Sequence, residues 1–235
     1  CFFSRKNGFS RGIYKGLNCG RGSKDSKKNI DKNLNYVAKK MAVKRGRLIL
    51  MHQTHSNKVL EVKKNNFKKK IVADAMITKM KNIALGVLTA DCVPIIIYET
   101  KNKIIGCIHA GWKGTLSGII ENTISKIKEK NSINKIYACV GPCINKKSYE
   151  VDNDFYKKFI YKSKNYKIYF SQKNKIKKHF NLRKFVTDKL LKLNVKVDQV
   201  NRDTYTEKTN FFSYRRSSKF MQKDYGRCIS TIRML

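Results

Sequence analysis

At 235 residues the chain is long enough to bury a core, as one large domain or two small ones. A hydrophobic fraction of 41% with 12 Phe and 12 Tyr excludes an intrinsically disordered chain, while 53 basic against 16 acidic residues give a formal net charge of +37. The longest apolar run, around Cys92–Tyr98, is about seven residues where a membrane-spanning helix needs about 20, which excludes a helical span.

The basic residues are spread along the chain rather than gathered in one tail, as drift towards Lys, Asn and Ile would leave them. A selected nucleic-acid surface is the alternative, and non-specific adhesion to polyanions is expected either way. The seven cysteines (Cys1, Cys19, Cys92, Cys107, Cys139, Cys143 and Cys228) are odd in number, which argues against a disulfide framework. The start, CFFSRKNGFS, lacks an initiator Met, an apolar h-region and a small-residue cleavage site, so a cytoplasmic location with reduced thiols is expected.

In chain order, the glycine-rich stretch 8–22 reads as loop and strand. Residues 25–44 place Ile30, Leu34, Val37 and Met41 at helical spacing. Residues 48–62 predict two strands around a turn at Ser56–Asn57, and 73–79 a short strand. Residues 83–99 are two strand-like runs broken by TADC, and 103–111 is a buried strand ending at glycine. The segment 115–130 predicts an amphipathic helix capped by Thr115, with Leu116, Ile119, Ile120, Thr123, Ile124 and Ile127 on one face. Residues 135–144 predict a strand and turn. From 149 to 193 the pattern is helical and basic, and its lysine-rich middle, 162–180, reads as a poorly packed insertion or surface strand. Residues 195–203 predict a strand, FFSYRRSS a turn, and 228–235 the final strand. Many strands with few helices argue for α+β, or mixed α/β, in layers and for one compact domain over 1–235.

His55, Cys92 and His109 each follow or end a strand-like run, where side chains from distant strands converge at one sheet edge. Two imidazoles and a thiolate suit a catalytic zinc site with one open position. Their separations are too long for a zinc-finger loop. His52 competes with His55, since positions i and i+3 of a strand face opposite ways. Cys107 competes with Cys92, although a buried thiol is most often a small hydrophobe. ACVGPC is not a redox CxxC pair, and His179 reads as solvated. Asp74 and Asp91, in VADA and TADC, either orient a ligand and move a proton or bond their own turns. Arg215 and Arg216 are candidates for clamping phosphate. Arg11 and Asn18 are candidates for holding a polar ligand, and Trp112 for packing rather than stacking on a flat one.

HQTHSNKV, VADAMIT, LTADCVPIII, IGCIHAGWKGTLSGIIENTI, VGPCINKKSYEV and FFSYRRSS follow one another along the chain. Together with the opening FSRGIYKGLNCG they resemble the YfiH family, long labelled polyphenol oxidase or laccase domain and regarded as zinc-dependent purine nucleoside phosphorylases. The resemblance implies a layered α+β fold with a mixed sheet and flanking helices, and zinc held by His55, Cys92 and His109. It implies phosphorolysis of adenosine or inosine to adenine or hypoxanthine and ribose 1-phosphate. Methylthioadenosine phosphorolysis and adenosine deamination are implied as further activities. Asp91, with Cys92 and His109, would then be catalytic, and Arg11, Asn18 and Arg215 would bind substrate. The chain departs from the family at Ser56, where Gly is usual, at Lys113, where Arg is usual, and in DTYTEK, which lacks a cysteine common before FFS.

The expected partners are purine nucleosides and phosphate, with no membrane or specific nucleic acid, in a monomer or homodimer. A copper polyphenol oxidase, a cysteine hydrolase using Cys92 and His109, and a basic nucleic-acid-binding protein are the competing readings. Copper fits less well, because one His₂Cys set lacks the several His-rich motifs of a multicopper enzyme.

Overall fold

The alternation of buried residues along the strands builds two faces of one sheet, and each face recruits its own layer. In the computed structural model, which describes residues 1–128, 135–174 and 176–234, the elements begin with α1 (Lys27–Lys40), β1 (Leu48–Leu50), β2 (Val59–Glu61) and β3 (Ala75–Thr78). There follow β4 (Ala84–Thr89), β5 (Val93–Glu99), β6 (Ile104–Ala110), α2 (Trp112–Leu116), α3 (Ile119–Lys128), β7 (Ile136–Val140) and β8 (Glu150–Val151). The chain continues through α4 (Asn153–Lys162), β9 (Phe170–Gln172), β10 (Lys178–Phe180), α5 (Leu182–Lys192), β11 (Lys196–Gln199), α6 (Tyr214–Lys219) and β12 (Cys228–Arg233).

Six strands form a mixed sheet in the order β11-β7-β5-β6-β3-β2, parallel at its two outer pairs and antiparallel between. Ala75, Ile77, Ile95, Ile97 and Ile108 point to one face, which Ile120, Ile124 and Ile127 of α3 and Phe185, Val186 and Leu190 of α5 cover. Met76, Ile105 and Cys107 point to the other, against Leu85 and Val87 of a second sheet ordered β1-β4-β12. Ile30, Leu34 and Val37 of α1 close the far side of that sheet over Leu48, Ala84 and Ile229. The two-residue period of a strand makes this possible, since every second side chain feeds a different core. The layered α+β arrangement expected from the sequence is the one observed. Among the described residues no helix is long and apolar enough to cross a membrane.

Several local expectations need correction. β1 and β2 do not form a hairpin: β1 pairs with β4, β2 with β3, and the segment between them is irregular. The helix expected from Thr115 starts earlier and is broken. Gly111 precedes α2, Thr115 is helical and donates its N–H to Gly111 O, and Gly118 at φ +97° separates α2 from α3. The apolar face named on α3 is buried as expected, and residues 129–130 lie outside the described residues. FFSYRRSS is not a simple turn, because Ser213 Oγ accepts from Arg216 N at 3.1 Å and starts α6.

The lysine-rich stretch is not poorly packed. Tyr169 and Phe180 are buried there, and Phe170 stacks on Phe180 with centroids 4.8 Å apart. β8, β10 and β9 form a small antiparallel sheet over Phe159, so the lysines decorate an aromatic core. Phe180→Ala is therefore expected to cost about 3–5 kcal/mol. Thermal unfolding should show a Tm lower by roughly 6–20 °C, whereas a loose insertion would leave the Tm unchanged.

Candidate metal centre

Two irregular turns and the end of strand β6 bring His55, Cys92 and His109 together. Their donor atoms all lie within 4.8 Å of one another. His109, near the end of β6, is 3% exposed, Cys92 is half-buried just before β5, and His55 is exposed on the irregular β1–β2 connection. The two imidazoles meet edge to face, with centroids 4.6 Å apart.

Asp74, fully buried just before β3, ties the His55 turn to strand β6. Its carboxylate accepts the backbone N–H groups of Thr54 (3.1 Å), His55 (3.0 Å) and Ser56 (2.7 Å), and the Ser56 hydroxyl (2.7 Å). It also faces His109 Nδ1 at 2.8 Å, while the His109 N–H donates to Asp74 O at 2.7 Å. Binding Nδ1 to the carboxylate aims Nε2 at the cluster and fixes the tautomer. Ser56, a departure from the family pattern, adds a donor to Asp74 that a glycine cannot. His55 itself sits at φ +59°, a left-handed conformation costly for a non-glycine residue, and the hydrogen bonds to Asp74 hold it there.

Asp91, adjacent to Cys92 in sequence, anchors other segments beside it. It adopts φ +82°, and its carboxylate accepts from Thr204 Oγ1 (2.7 Å), Ser213 Oγ (2.9 Å) and Arg215 N (2.6 Å). The start of α6 is thereby anchored beside the cysteine. Gly111 supplies the remaining space, since a Cβ there would sit 3.1 Å from Cys92 Sγ and 3.1 Å from His55 Cδ2. At Gly114 a Cβ would lie 2.8 Å from Ser56 O, so α2 packs against the His55 turn only because that residue is glycine.

The electrostatics follow from this packing. Burial alone would raise the Asp74 carboxyl, but hydrogen bonds from His109 and Ser56 hold it well below the usual carboxylate range. Burial would likewise raise the Cys92 thiol; the charge of His109 and hydrogen bonds from both histidines bring it to about 7. His109 is pulled down by burial yet raised to about 9 by Cys92 and Asp74. Burial pushes Asp91 up despite its three donors, and pushes the competing thiol of Cys107 up to about 12.

Two cavities meet at His55 and Cys92. One, of about 130 Å³, is walled by Trp112, Tyr149, Tyr214 and Arg215. The other, of about 340 Å³, carries His52, Arg21, Tyr225 and Arg227. His52 and His55 thus open on the same cavity, because the segment holding them is not a strand; only His55 joins the donor cluster. Cys107 is buried between the sheets and takes no part. Trp112 packs on Phe155 at 4.8 Å and also forms cavity wall.

Of the expected binding residues, Arg215 lines the smaller cavity beside His55 and Cys92, its Nη1 donating to Glu150 O at 2.6 Å and its guanidinium 5.2 Å from the Tyr149 ring centroid. Arg216 donates to the carbonyls of Thr204, Tyr205 and Phe211 instead. Asn18 is buried and hydrogen-bonded to loop groups, and Arg11 is exposed and outside both cavity walls. Tyr149 and Tyr214 lie within the motifs VGPCINKKSYEV and FFSYRRSS but had no role of their own there, and Tyr225 and Arg227 carried no local signal in the sequence. Arg21 lay inside the glycine-rich stretch that was singled out.

The donor set fits a metal ion. Two metal–ligand bonds of about 2.0–2.3 Å span nearly the observed separations, a carboxylate orients one imidazole, and a missing Cβ keeps the space open. Fold and centre define a layered α+β protein with a His–Cys–His candidate metal site. The chain belongs to the family described as multi-copper polyphenol oxidoreductase laccase, whose model matches residues 1–235. It is 39% identical over 188 residues to a purine nucleoside phosphorylase of Rickettsia conorii, covering 77% of this chain and 75% of that one. It is 29% identical to purine nucleoside phosphorylase YfiH of Shigella flexneri, over 99% of this chain and 92% of the relative. The hypothetical protein YfiH of Bacillus licheniformis has the same fold, with a TM-score of 0.89 at 24% identity, covering 100% of this chain and 91% of that one.

Asp74→Asn is expected to lower metal affinity about 10–100-fold, read by competition with a chromogenic chelator. Gly111→Ala should lower it as well. In chelator-treated protein Cys92 should alkylate increasingly as pH rises through about 7, ahead of Cys107 and Cys143. Metal loading should protect it; equal labelling with and without metal would place the ion elsewhere.

Proposed function

We propose that this chain is a zinc-dependent purine nucleoside phosphorylase, converting adenosine or inosine and phosphate into adenine or hypoxanthine and ribose 1-phosphate. The observation that carries the reading is the convergence of His55, Cys92 and His109 into one donor cluster, of which His55 and Cys92 line a cavity that also holds Arg215 and three aromatic rings. The names of the relatives point the same way. Zinc held by His55, Cys92 and His109 would supply a Lewis acid with one open position.

The protein's own groups do the rest. Asp91 fixes the backbone of Arg215, and Glu150 O and the Tyr149 ring hold its guanidinium, whose remaining donors face phosphate oxygens. Asp91 is thus a positioning residue, since its oxygens already accept three hydrogen bonds. Trp112, Tyr149 and Tyr214 offer flat faces to the purine and exclude water. A phosphate oxygen forms the bond to ribose C1′ as the C1′–N9 bond breaks, and the departing base takes up a proton. Methylthioadenosine phosphorolysis would use the same groups, and adenosine deamination would need water in place of phosphate.

Zinc is favoured over copper because the whole chain has four histidines, and the cluster holds two of them. A second reading draws on the line Cys92–His109–Asp74, which matches a nucleophile–base–orienter set. That hydrolase would lose activity on alkylation but keep it with chelators.

Purified protein incubated with inosine or adenosine should release free base only when phosphate is present. Release should fall at least about 100-fold in Cys92→Ala and in chelated protein, because the proposed Lewis acid is lost. Release that is independent of phosphate, or that survives chelation, would refute the phosphorylase reading.

A further inference from the structure

Phosphorolysis of an uncharged nucleoside needs one anion site, for inorganic phosphate. The protein has two sets of arginines beside its cluster. Arg215 lines the smaller cavity, and Arg21 and Arg227 line the larger, whose described walls carry no carboxylate. Because the cavities share His55, Ala90 and Cys92, the two sets reach the cluster through different openings.

The second set is built into the fold. Asn18, with no exposed surface, accepts the N–H of Gly20 (3.0 Å) and of Arg227 (2.9 Å) on its Oδ1. Its Nδ2 donates to Ser23 Oγ (3.0 Å) and Asp25 Oδ2 (2.9 Å). The loop bearing Arg21 is thereby locked to the segment bearing Arg227, across 209 positions of sequence. The Arg227 guanidinium lies 4.4 Å from the Tyr225 ring centroid and gives one long hydrogen bond, 3.4 Å, to Tyr225 O. The neighbouring acid, Asp224, accepts from the Tyr14 hydroxyl (2.7 Å) and the Lys24 N–H (2.6 Å) and feels the charge of Arg227 without a hydrogen bond to it. Neither Arg21 nor Arg227 forms an ion pair among the described residues. A stacked guanidinium with open donors, sharing a cavity wall with a second arginine, suits the dianion of a phosphate monoester.

We propose that Arg21 and Arg227 form a second anion subsite for a phosphate monoester on the ribose of the substrate, so that purine nucleoside monophosphates are taken as well as free nucleosides. This rests on the phosphorylase reading for the chemistry alone. With a nucleotide, a phosphate oxygen bonds to C1′ and the C1′–N9 bond breaks. The base leaves with the electron pair and takes up a proton, and the sugar product is a ribose bisphosphate. Asn18 is then a positioning residue for this subsite.

The test is calorimetric binding of inosine, inosine 5′-monophosphate and inosine 3′-monophosphate to the metal-loaded, full-length protein, with initial rates beside it. One monophosphate should bind at least about tenfold more tightly than inosine, with the gap narrowing as salt rises. Arg227→Gln and Arg21→Gln should each reduce the monophosphate-to-inosine affinity ratio about fivefold or more. Arg21 is exposed, so its variant reads the subsite even if Arg227→Gln folds poorly. Equal affinity for inosine and both monophosphates would overturn the proposal. So would variants that keep the ratio but raise the KM for inorganic phosphate, which would make this the co-substrate site. If neither ligand releases base, yet a monophosphate preference exists and is lost in the variants, the phosphorylase reading fails and the subsite stands.

Discussion

The hydrogen bonds converging on the Asp74 carboxylate are the constraint on which the centre depends. One buried anion holds an irregular loop at one end of the β1–β2 connection and an imidazole on the central strand β6. Each charge-assisted bond is worth roughly 1.5–3 kcal/mol, enough together to offset both the burial of the carboxylate and the left-handed backbone at His55. Without them, nothing would hold the exposed His55 in its left-handed backbone conformation and His109 would lose its orientation. The site is therefore pre-organised by the protein, and any ion that enters meets ligands already aimed.

Asp91 repeats the device on the opposite side. Its carboxylate draws Thr204, Ser213 and Arg215 to the cysteine turn, although these residues lie more than 100 positions away in sequence. The two carboxylates thus divide the work: Asp74 holds the histidines, and Asp91 places the cysteine turn beside the arginine. The two-faced central sheet makes both possible, because its strand ends deliver residues from β5 and β6 to one place while its faces are filled by separate cores.

Much of this was legible in the sequence, for a physical reason. Cys92 and His109 stand at the ends of long apolar runs, and such runs become central strands whose ends are fixed by the sheet. Strand period cannot separate His55 from His52, because the segment holding them is not a strand; the hydrogen bonds to Asp74 decide which imidazole joins the donor cluster. The packing of 162–180 was hidden because lysines dominate its composition while a few aromatics, spaced irregularly, supply its core. Arg227 and Tyr225 were invisible, since they reach the cavity through Asn18, a contact made across almost the full length of the chain. Asn18 was singled out as a substrate ligand, and its side chain instead bonds the loops that carry the arginines.

The measurement that bears most directly on this account is X-ray absorption at the metal edge of the purified, metal-loaded protein, with metal content per chain determined alongside. The account predicts one zinc per chain, with one sulfur scatterer near ~2.3 Å and two imidazole nitrogens near ~2.0 Å, the sulfur being lost in Cys92→Ala. A spectrum without sulfur, several copper ions per chain, or a sulfur signal that persists in Cys92→Ala would contradict it.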